Sequence, residues 1–140
     1  LFSGILLLLI FFSMSPLIVR ETSTPSFCGS CHVMETEYED WFKTGLHRNI
    51  ICVDCHLPNN NIFSHLIWKV LDGTKDVIFF YGHIYSDQIT ISEHGKKTIK
   101  SNCIRCHKGM VSRMNVKSRD CWSCHRRVNH TFPADGINNL

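Results

Sequence analysis

The chain has 140 residues and a formal net charge of +3 at pH 7. This length suits one domain, or one small domain with an anchor, and argues against a two-domain enzyme with a large substrate pocket of its own. The basic residues are dispersed along the sequence, so the positive charge does not indicate a nucleic-acid-binding surface.

Residues 1–19 form an apolar run without a charged residue, and Arg20 ends it. As one α-helix the run would rise about 28 Å, close to the hydrocarbon thickness of a bilayer. The apolar cores of signal peptides are shorter, about 7 to 15 residues, and a small-residue cleavage site follows them, which is not the case here. We therefore expect residues 1–19 to form a single-pass transmembrane anchor and residues 20–140 to form a separate polar domain.

The eight cysteines fall into four copies of one motif, Cys-x-x-Cys-His. Two thiols at this spacing can add to the two vinyl groups of one haem, and the next histidine can bind the iron. Zinc sites are the main alternative, but they give no reason for a histidine after every second cysteine. The sequence therefore predicts four covalently attached c-type haems. The motifs comprise Cys28, Cys31 and His32; Cys52, Cys55 and His56; Cys103, Cys106 and His107; and Cys121, Cys124 and His125.

Four haems on a chain of this length would leave porphyrin, not side chains, at its centre. We expect a mainly α fold in which short helices and long loops wrap around the four haems, with little or no sheet. Haem attachment of this kind takes place outside the cytoplasm. The haem domain, residues 20–140, is therefore expected on the exported, periplasmic side of the cytoplasmic membrane.

Four six-coordinate irons need eight axial ligands, and the motif histidines supply at most four. His47 and His130 each lie five residues from a motif, in short polar segments, and we expect both to be distal ligands. His83 and His94 are less clear candidates, and His65 suits an interfacial position better than a ligand position.

The supply of histidines falls short of a complete bis-histidine set. At least one iron is therefore expected to be five-coordinate or to take an unusual or borrowed ligand. Met34 lies two residues after the first motif's histidine. It is either an axial ligand or an ordinary packing methionine.

Residues 62–85 hold the second concentration of apolar side chains. Their spacing predicts an amphipathic helix before Gly73 and an apolar patch after it, neither of them long enough to cross a membrane. We expect the segment to lie in the membrane interface, with Trp68 and Tyr81 as anchors.

Two charged residues in this segment, Lys69 and Asp76, are seven positions apart and so lie about two turns along one helical face. They form either a solvent-facing ion pair or the groups that hydrogen-bond a lipid-soluble quinol and accept its protons. Charge in a membrane-surface pocket is costly unless it is used.

Taken together, these features resemble the NapC/NirT/NrfH family of membrane-anchored tetrahaem quinol dehydrogenases, and most closely its short NrfH type. The resemblance covers nearly the whole chain: an N-terminal anchor, two pairs of motifs and the segment between them. The matching stretches are Cys-Gly-Ser-Cys-His-Val-Met at 28–34, Gly-Leu-His at 45–47, Cys-Val-Asp-Cys-His-Leu-Pro at 52–58, Lys-Asp-Val at 75–77 and Val-Asn-His at 128–130.

For the first haem, the resemblance implies a high-spin iron with Met34 in place of His32 as its axial ligand. The acid at the open face of this haem corresponds to Asp76, and the nearby lysine to Lys69. His65 is a further candidate proton acceptor.

For the other haems, the resemblance implies that His130 ligates the second haem and His47 the fourth. Longer family members carry a histidine between the third and fourth motifs, but residues 108–120 contain none. The distal ligand of the third haem therefore stays open between His94, His83, a lysine and a partner residue.

The function implied by the resemblance is oxidation of menaquinol, with transfer of the electrons to a periplasmic pentahaem, ammonia-forming nitrite reductase. The anchor could also support self-association. Two alternatives remain open. An anchored electron shuttle that oxidises no quinol would need bis-histidine ligation throughout. A multihaem enzyme acting on nitrite or hydroxylamine would need a buried open iron with Arg, His or Tyr around it.

Overall fold

The computed structural model describes residues 2–13, 15–44, 46–86, 89–116, 118–126 and 130. These residues form helices and no β-strand, as predicted for a mainly α fold. In chain order the helices are α1 (Phe2–Ser13), α2 (Pro16–Glu21), α3 (Pro25–Cys28), a first 3₁₀ helix (His32–Met34), α4 (Glu35–Thr44), α5 (Cys52–His56), α6 (Ile62–Tyr81), α7 (Glu93–Val111) and a second 3₁₀ helix (Cys121–Ser123).

The apolar N-terminal run is divided into two helices, so the single continuous helix expected over residues 1–19 is interrupted. Ser15 has an extended backbone, and its hydroxyl accepts a hydrogen bond from the Ile18 amide at 3.4 Å. Pro16 follows in the first turn of α2, where its missing N–H costs no helical bond. Among the described residues, no helix is both long and apolar enough to cross a membrane.

Helix α6 has 20 residues and continues through Gly73, so the predicted amphipathic helix and the apolar patch after it form one element. It starts after Asn61, whose side chain accepts a hydrogen bond from the Ser64 amide at 2.7 Å, a standard N-cap. The chain leaves the helix at Gly82, and His83 has a φ of 52°. Helix α7 has 19 residues, so the expectation of short helices is wrong for both long elements.

Helix α7 packs against α5 and thereby joins the second and third motifs. The buried Asn102 donates from Nδ2 to the carbonyl oxygens of Cys55, at 3.0 Å, and Leu57, at 2.8 Å. These carbonyls lie at the C-terminal end of α5, where a helix leaves acceptors without internal partners. Asn102 immediately precedes Cys103, so the contact fixes one motif relative to the other.

Few side chains are buried in the part of the chain that the structure describes. Val53 and Leu57 are the buried apolar side chains there, and Thr98 and Asn102 the buried polar ones. A polypeptide of this size needs far more buried apolar surface to fold on side chains alone. The small core supports the expectation that a prosthetic group fills the centre.

Candidate haem and quinol sites

The thiols of successive motifs are neighbours. Cys28 and Cys52 share a hydrogen bond, which lowers the pKa of Cys28 to about 7 and raises that of Cys52. Cys103 and Cys121 share another, while burial raises the pKa of Cys103 to about 11. No two of the eight cysteines are joined by a disulfide. The two thiol contacts join the first motif to the second and the third to the fourth, and the Asn102 contact joins the second to the third, so the motifs follow one another in space as they do in the sequence.

The second motif's histidine faces a distant one. The ring centroids of His56 and His130 are 6.1 Å apart, and two imidazoles that share one metal ion at about 2 Å each have centroids about 6 Å apart. His130 Nδ1 lies 2.8 Å from the Glu37 carbonyl oxygen and 3.3 Å from Glu37 Oε2. A hydrogen bond at Nδ1 orients the ring and leaves Nε2 for a metal. Burial and the neighbouring His130 lower the pKa of His56, while the Asp72 carboxylate opposes the shift. The lowered pKa favours the neutral imidazole, which is the form that binds a metal ion.

The third motif's histidine has a similar partner. The centroids of His47 and His107 are 6.0 Å apart, with the ring planes at 86°. Trp41 Nε1 donates to the carbonyl oxygens of His47, at 3.2 Å, and Ile50, at 3.1 Å, and so holds the loop that carries His47. The resemblance implies that His47 serves the fourth haem, but the structure places its ring opposite the third motif.

The other candidates for the third haem lie elsewhere. His94 stacks on Trp68 with a centroid distance of 3.6 Å, and the ring of His83 lies 6.2 Å from that of Tyr85. The side chain of His125 in the fourth motif is exposed, and no second histidine ring faces it within the described ranges. Among the described residues, a second histidine ring therefore faces the histidine of the second motif and of the third, and none faces that of the fourth.

The first motif differs from the second and third. The His32 ring lies 5.2 Å from that of Phe80 and 6.2 Å from that of Tyr85, and the Tyr85 hydroxyl is 3.4 Å from His32 Nε2. Met34 is half-buried, and its amide donates to the Cys31 carbonyl at 2.9 Å. The imidazole nitrogen that would bind an iron thus lies within hydrogen-bonding reach of a tyrosine hydroxyl.

The predicted pair on α6 lies beside this first motif. Lys69 Nζ donates to the Thr22 carbonyl at 3.0 Å, at the end of α2, and burial lowers the pKa of Lys69. Partial withdrawal from water raises the pKa of Asp76, with Lys75 opposing the shift and Asp72 adding to it. The charges of Lys69 and Asp76 both act on the Cys28 thiol. No ion pair joins the two among the residues described, so they do not form the solvent-facing pair that was the alternative.

Sequence reasoning missed several side chains around these sites. Asp72 lies three residues after Lys69 and four before Asp76, so helical spacing could have placed it on the same face. Glu37 orients His130, and Phe80 and Tyr85 contact His32. No local pattern marks these last three, because each acts on a residue far away in the sequence.

His65 belongs to a different part of α6. Its Nδ1 lies 3.2 Å from the Pro58 carbonyl oxygen, next to the second motif. An open cavity of about 290 Å³ is lined there by Asn59, Asn61, Ile62 and His65. The structure therefore separates His65 from the surroundings of Cys28.

These residues fit a haem group. Each motif offers two thiols, and two motif histidines face a second imidazole at the spacing that one shared metal ion requires. Over the same described residues, no group of three or more His, Cys, Asp or Glu side chains forms a metal-ion cluster, the arrangement that a zinc site would use. The fold and the sites define a multihaem c-type cytochrome of electron transport.

The chain belongs to the NapC/NirT cytochrome c family, whose N-terminal region it matches over residues 1–135. Covalently bound c-type haem is the cofactor of this family. The resemblance drawn from the motifs is thereby confirmed.

Individual relatives give the same family. Cytochrome c-type protein NrfH of Wolinella succinogenes is 32% identical over 123 residues, which cover 78% of this chain and 70% of that protein. Cytochrome c nitrite reductase subunit NrfH of Nitratidesulfovibrio vulgaris is 33% identical over 117 residues, covering 80% and 70%. A crystal structure of the cytochrome c nitrite reductase NrfHA complex bound to the HQNO inhibitor contains a similar chain, with a TM-score of 0.78, 28% identity and coverage of 96% and 93%.

Proposed function

We propose that this protein is a membrane-anchored tetrahaem quinol dehydrogenase that oxidises menaquinol and passes the electrons to a periplasmic nitrite reductase of the pentahaem, ammonia-forming type. The observation that carries the proposal is the position of the polar face of α6. Lys69 Nζ donates to the Thr22 carbonyl at 3.0 Å, six residues before the first motif begins at Cys28, and Asp76 lies about two turns further along the same face. The NrfH relatives and the nitrite reductase complex that holds a similar chain support the partner.

In this proposal the eight cysteines would bind four haems, and the histidines that face each other would hold the irons. His56 and His130 would hold the second haem, and His47 and His107 the third. His125 would hold the fourth, and Met34 would replace His32 at the first. Bound haem supplies one-electron redox chemistry. The spatial order of the motifs provides a path along which electrons entering at the first motif reach the fourth.

The polar face of α6 provides the proton chemistry. Quinol oxidation releases two protons and two electrons. The ionised Asp76 carboxylate accepts protons from the quinol hydroxyl groups, and its raised pKa makes it a stronger base than an ordinary aspartate. The Lys69 ammonium, held by the Thr22 carbonyl, donates a hydrogen bond to a quinol oxygen. His65, which lines the cavity beside the second motif, accepts the proton after Asp76 on its way to the exported side.

The apolar surfaces support a position at the cytoplasmic membrane. Residues 1–19 form the anchor, residues 20–140 the periplasmic haem domain, and residues 62–85 the segment that lies in the membrane interface. Ile67, Leu71 and Ile78 are each more than half exposed on the face of α6 opposite to Lys69 and Asp76. The bond from Lys69 to the Thr22 carbonyl places the polar face at the end of the apolar N-terminal run, where a lipid-soluble substrate can enter.

The fourth motif is the exit for electrons. Cys124 and His125 are exposed, and the motif is at the far end of the spatial order from the quinol site. An exposed haem edge suits docking of a soluble reductase. Self-association through the anchor would place several such exits on one assembly.

The test is reduction of the haem absorption bands by a menaquinol analogue, measured on the full chain in liposomes. Asp76→Asn should slow reduction about 100-fold or more, the range for loss of a general base, with haem content unchanged. Glu93→Gln, which neutralises an exposed carboxylate at the start of α7 that pairs with Lys96, is the control and should retain the rate.

Three outcomes would overturn the proposal. Equal rates for wild type and Asp76→Asn would remove the assigned quinol site. Failure of quinol to reduce either protein, while both accept electrons from a soluble donor, would leave an anchored electron shuttle. Turnover of nitrite or hydroxylamine by the isolated chain would instead indicate a multihaem enzyme.

A further inference from the structure

His32 has two aromatic neighbours that its counterparts in the second and third motifs lack. Phe80 and Tyr85 stack on each other with centroids 6.3 Å apart and planes at 18°, and both contact the His32 ring. The Tyr85 hydroxyl lies within hydrogen-bonding reach of Nε2, at 3.4 Å. Phe80 is in the last turn of α6 and Tyr85 follows the turn at Gly82 and His83. The contact therefore joins the first motif to the C-terminal end of the quinol-site helix.

Crowding does not fix His32 in this position. Its side chain is exposed, and an open cavity of about 230 Å³, lined by Val33, Ser86 and Ile89 as well as His32 and Tyr85, adjoins the ring. A histidine next to such a space can rotate at low steric cost. The aromatic contacts and the hydroxyl are what hold it.

The position of Nε2 decides what the first motif can offer to an iron. In a Cys-x-x-Cys-His motif the histidine is the default axial ligand, and a neutral imidazole binds through a nitrogen without a proton. In the tautomer with its proton on Nδ1, a hydrogen bond donated by the Tyr85 hydroxyl to Nε2 takes up that lone pair. The half-buried Met34, in the same 3₁₀ helix, is the remaining ligand in the segment.

We infer that Tyr85, together with Phe80, is a positioning residue that holds His32 away from the iron of the first haem and thereby selects Met34 as the axial ligand. The inference rests on the proposed function, in which Met34 ligates that haem. The inference adds that Tyr85 decides which residue is the ligand. Without Tyr85, the first motif would bind its haem iron through His32.

The test is the resonance Raman spectrum of the ferrous protein with all four haems attached, as verified by intact mass. A five-coordinate ferrous haem bound by histidine shows an iron–histidine stretching band, and one bound by methionine does not. Tyr85→Leu should gain this band, equivalent to one haem per chain, and Tyr85→Phe, which loses only the hydroxyl, should gain part of it. The double variant Tyr85→Leu/His32→Gln should lose the gained band. Phe79→Leu, an exposed position in the same turn of α6, should match the wild type.

A variant of the ligand itself separates the two possible failures. Met34→Leu removes the proposed ligand while Tyr85 still holds His32, so its spectrum should change without gaining the iron–histidine band, and Met34→Leu/Tyr85→Leu should gain the band. If Met34→Leu alone gains the full band and Tyr85→Leu keeps the wild-type spectrum, the positioning role of Tyr85 is wrong and Met34 stays the ligand. If Met34→Leu leaves the spectrum unchanged, Met34 is not the ligand, and the ligand assignment in the proposed function fails with the inference. Loss of quinol oxidation in Asp76→Asn is independent of both results.

Discussion

The first motif and the next two share the letters Cys-x-x-Cys-His, but their histidines have different surroundings. His56 faces His130 at 6.1 Å and His107 faces His47 at 6.0 Å, whereas His32 contacts Phe80 and Tyr85. The motif fixes where a haem is attached, because attachment is covalent and local. The tertiary neighbours of the imidazole decide whether it can serve as a ligand.

Backbone structure contributes to the difference. The second motif forms α5 and the third lies within α7, which leaves helical geometry at His107 (φ −102°, ψ 19°). The first motif is instead divided between the end of α3 and the first 3₁₀ helix. Gly29, at the α3 C-cap, packs against Tyr38, since a Cβ there would lie 2.6 Å from Tyr38 Cγ. This division lets His32 turn towards α6.

The largest expected effect concerns the acid beside the first motif. Asp76 accepts a proton only when it is ionised. Its pKa is raised by withdrawal from water and by the Asp72 carboxylate, while Lys75 opposes the shift. Lys69 lies on the same face of α6, and Cys28 of the first motif is near that face. As pH falls below that raised pKa, the quinol oxidation rate should decrease about tenfold per pH unit. A rate–pH profile that is unchanged in Asp76→Asn would contradict the assignment.

The same shift has a consequence for stability. A raised pKa means that the folded state holds the proton more tightly than the unfolded state, so the associated stability is present at low pH and is lost as pH rises through the folded pKa. Asp76→Asn should therefore be at least as stable as the wild type at neutral pH while it loses activity. A thermal unfolding curve recorded alongside the kinetics checks this.

The second effect tests the paired histidines. His47→Ala should convert one haem per chain from low-spin to high-spin, and His130→Ala should do the same for another, as measured by electron paramagnetic resonance. His94→Ala is the control, because its ring stacks on Trp68. Conversion by His94→Ala without conversion by His47→Ala would show that the observed pairing of His47 with the third motif does not describe the haem-bound protein.

The third effect concerns the link between the second and third motifs. Asn102→Ala leaves the Cys55 and Leu57 carbonyls without their donor, which should cost about 1 to 3 kcal/mol in the free energy of unfolding. Chemical denaturation of the holoprotein measures this. Ser101→Ala, at the exposed neighbouring position, is the control and should change the free energy of unfolding little. Equal losses in both variants would contradict a specific role for Asn102.

The smallest effect concerns the orientation of His130. Glu37→Gln removes the charged partner of His130 Nδ1 but retains the backbone carbonyl at 2.8 Å. We expect the second haem to stay low-spin, with a stability loss within about 1 kcal/mol, as for other partly exposed ion pairs. Glu39→Gln, whose carboxylate pairs with Lys43, serves as the control. A high-spin second haem in Glu37→Gln alone would show that the carboxylate, and not the carbonyl, holds the ring.

Much of the quinol-site segment could be predicted from the sequence. The apolar periodicity indicated a helix, and seven-residue spacing placed Lys69 and Asp76 on one face; the structure confirms the helix and puts both charges near Cys28. The continuation through Gly73 could not be predicted, because a glycine in a helix lowers its propensity by about 1 kcal/mol, and here the helix continues although nothing packs within 4 Å of that position. The break at Ser15 was also missed. The length of the apolar run indicated one helix, whereas in the structure Ser15 caps a second helix that begins at Pro16.

The sequence by itself determined the attachment chemistry. Four repeats of a five-residue motif specify where c-type haems bond, and short-range spacing suffices because both thiols and the histidine come from one turn of chain. Only the tertiary structure decided which imidazoles meet: His130 comes to His56 and His47 to His107, each from a separate segment. It also turned His32 towards Tyr85. Contacts between distant segments depend on how helices pack, and no local pattern encodes that packing.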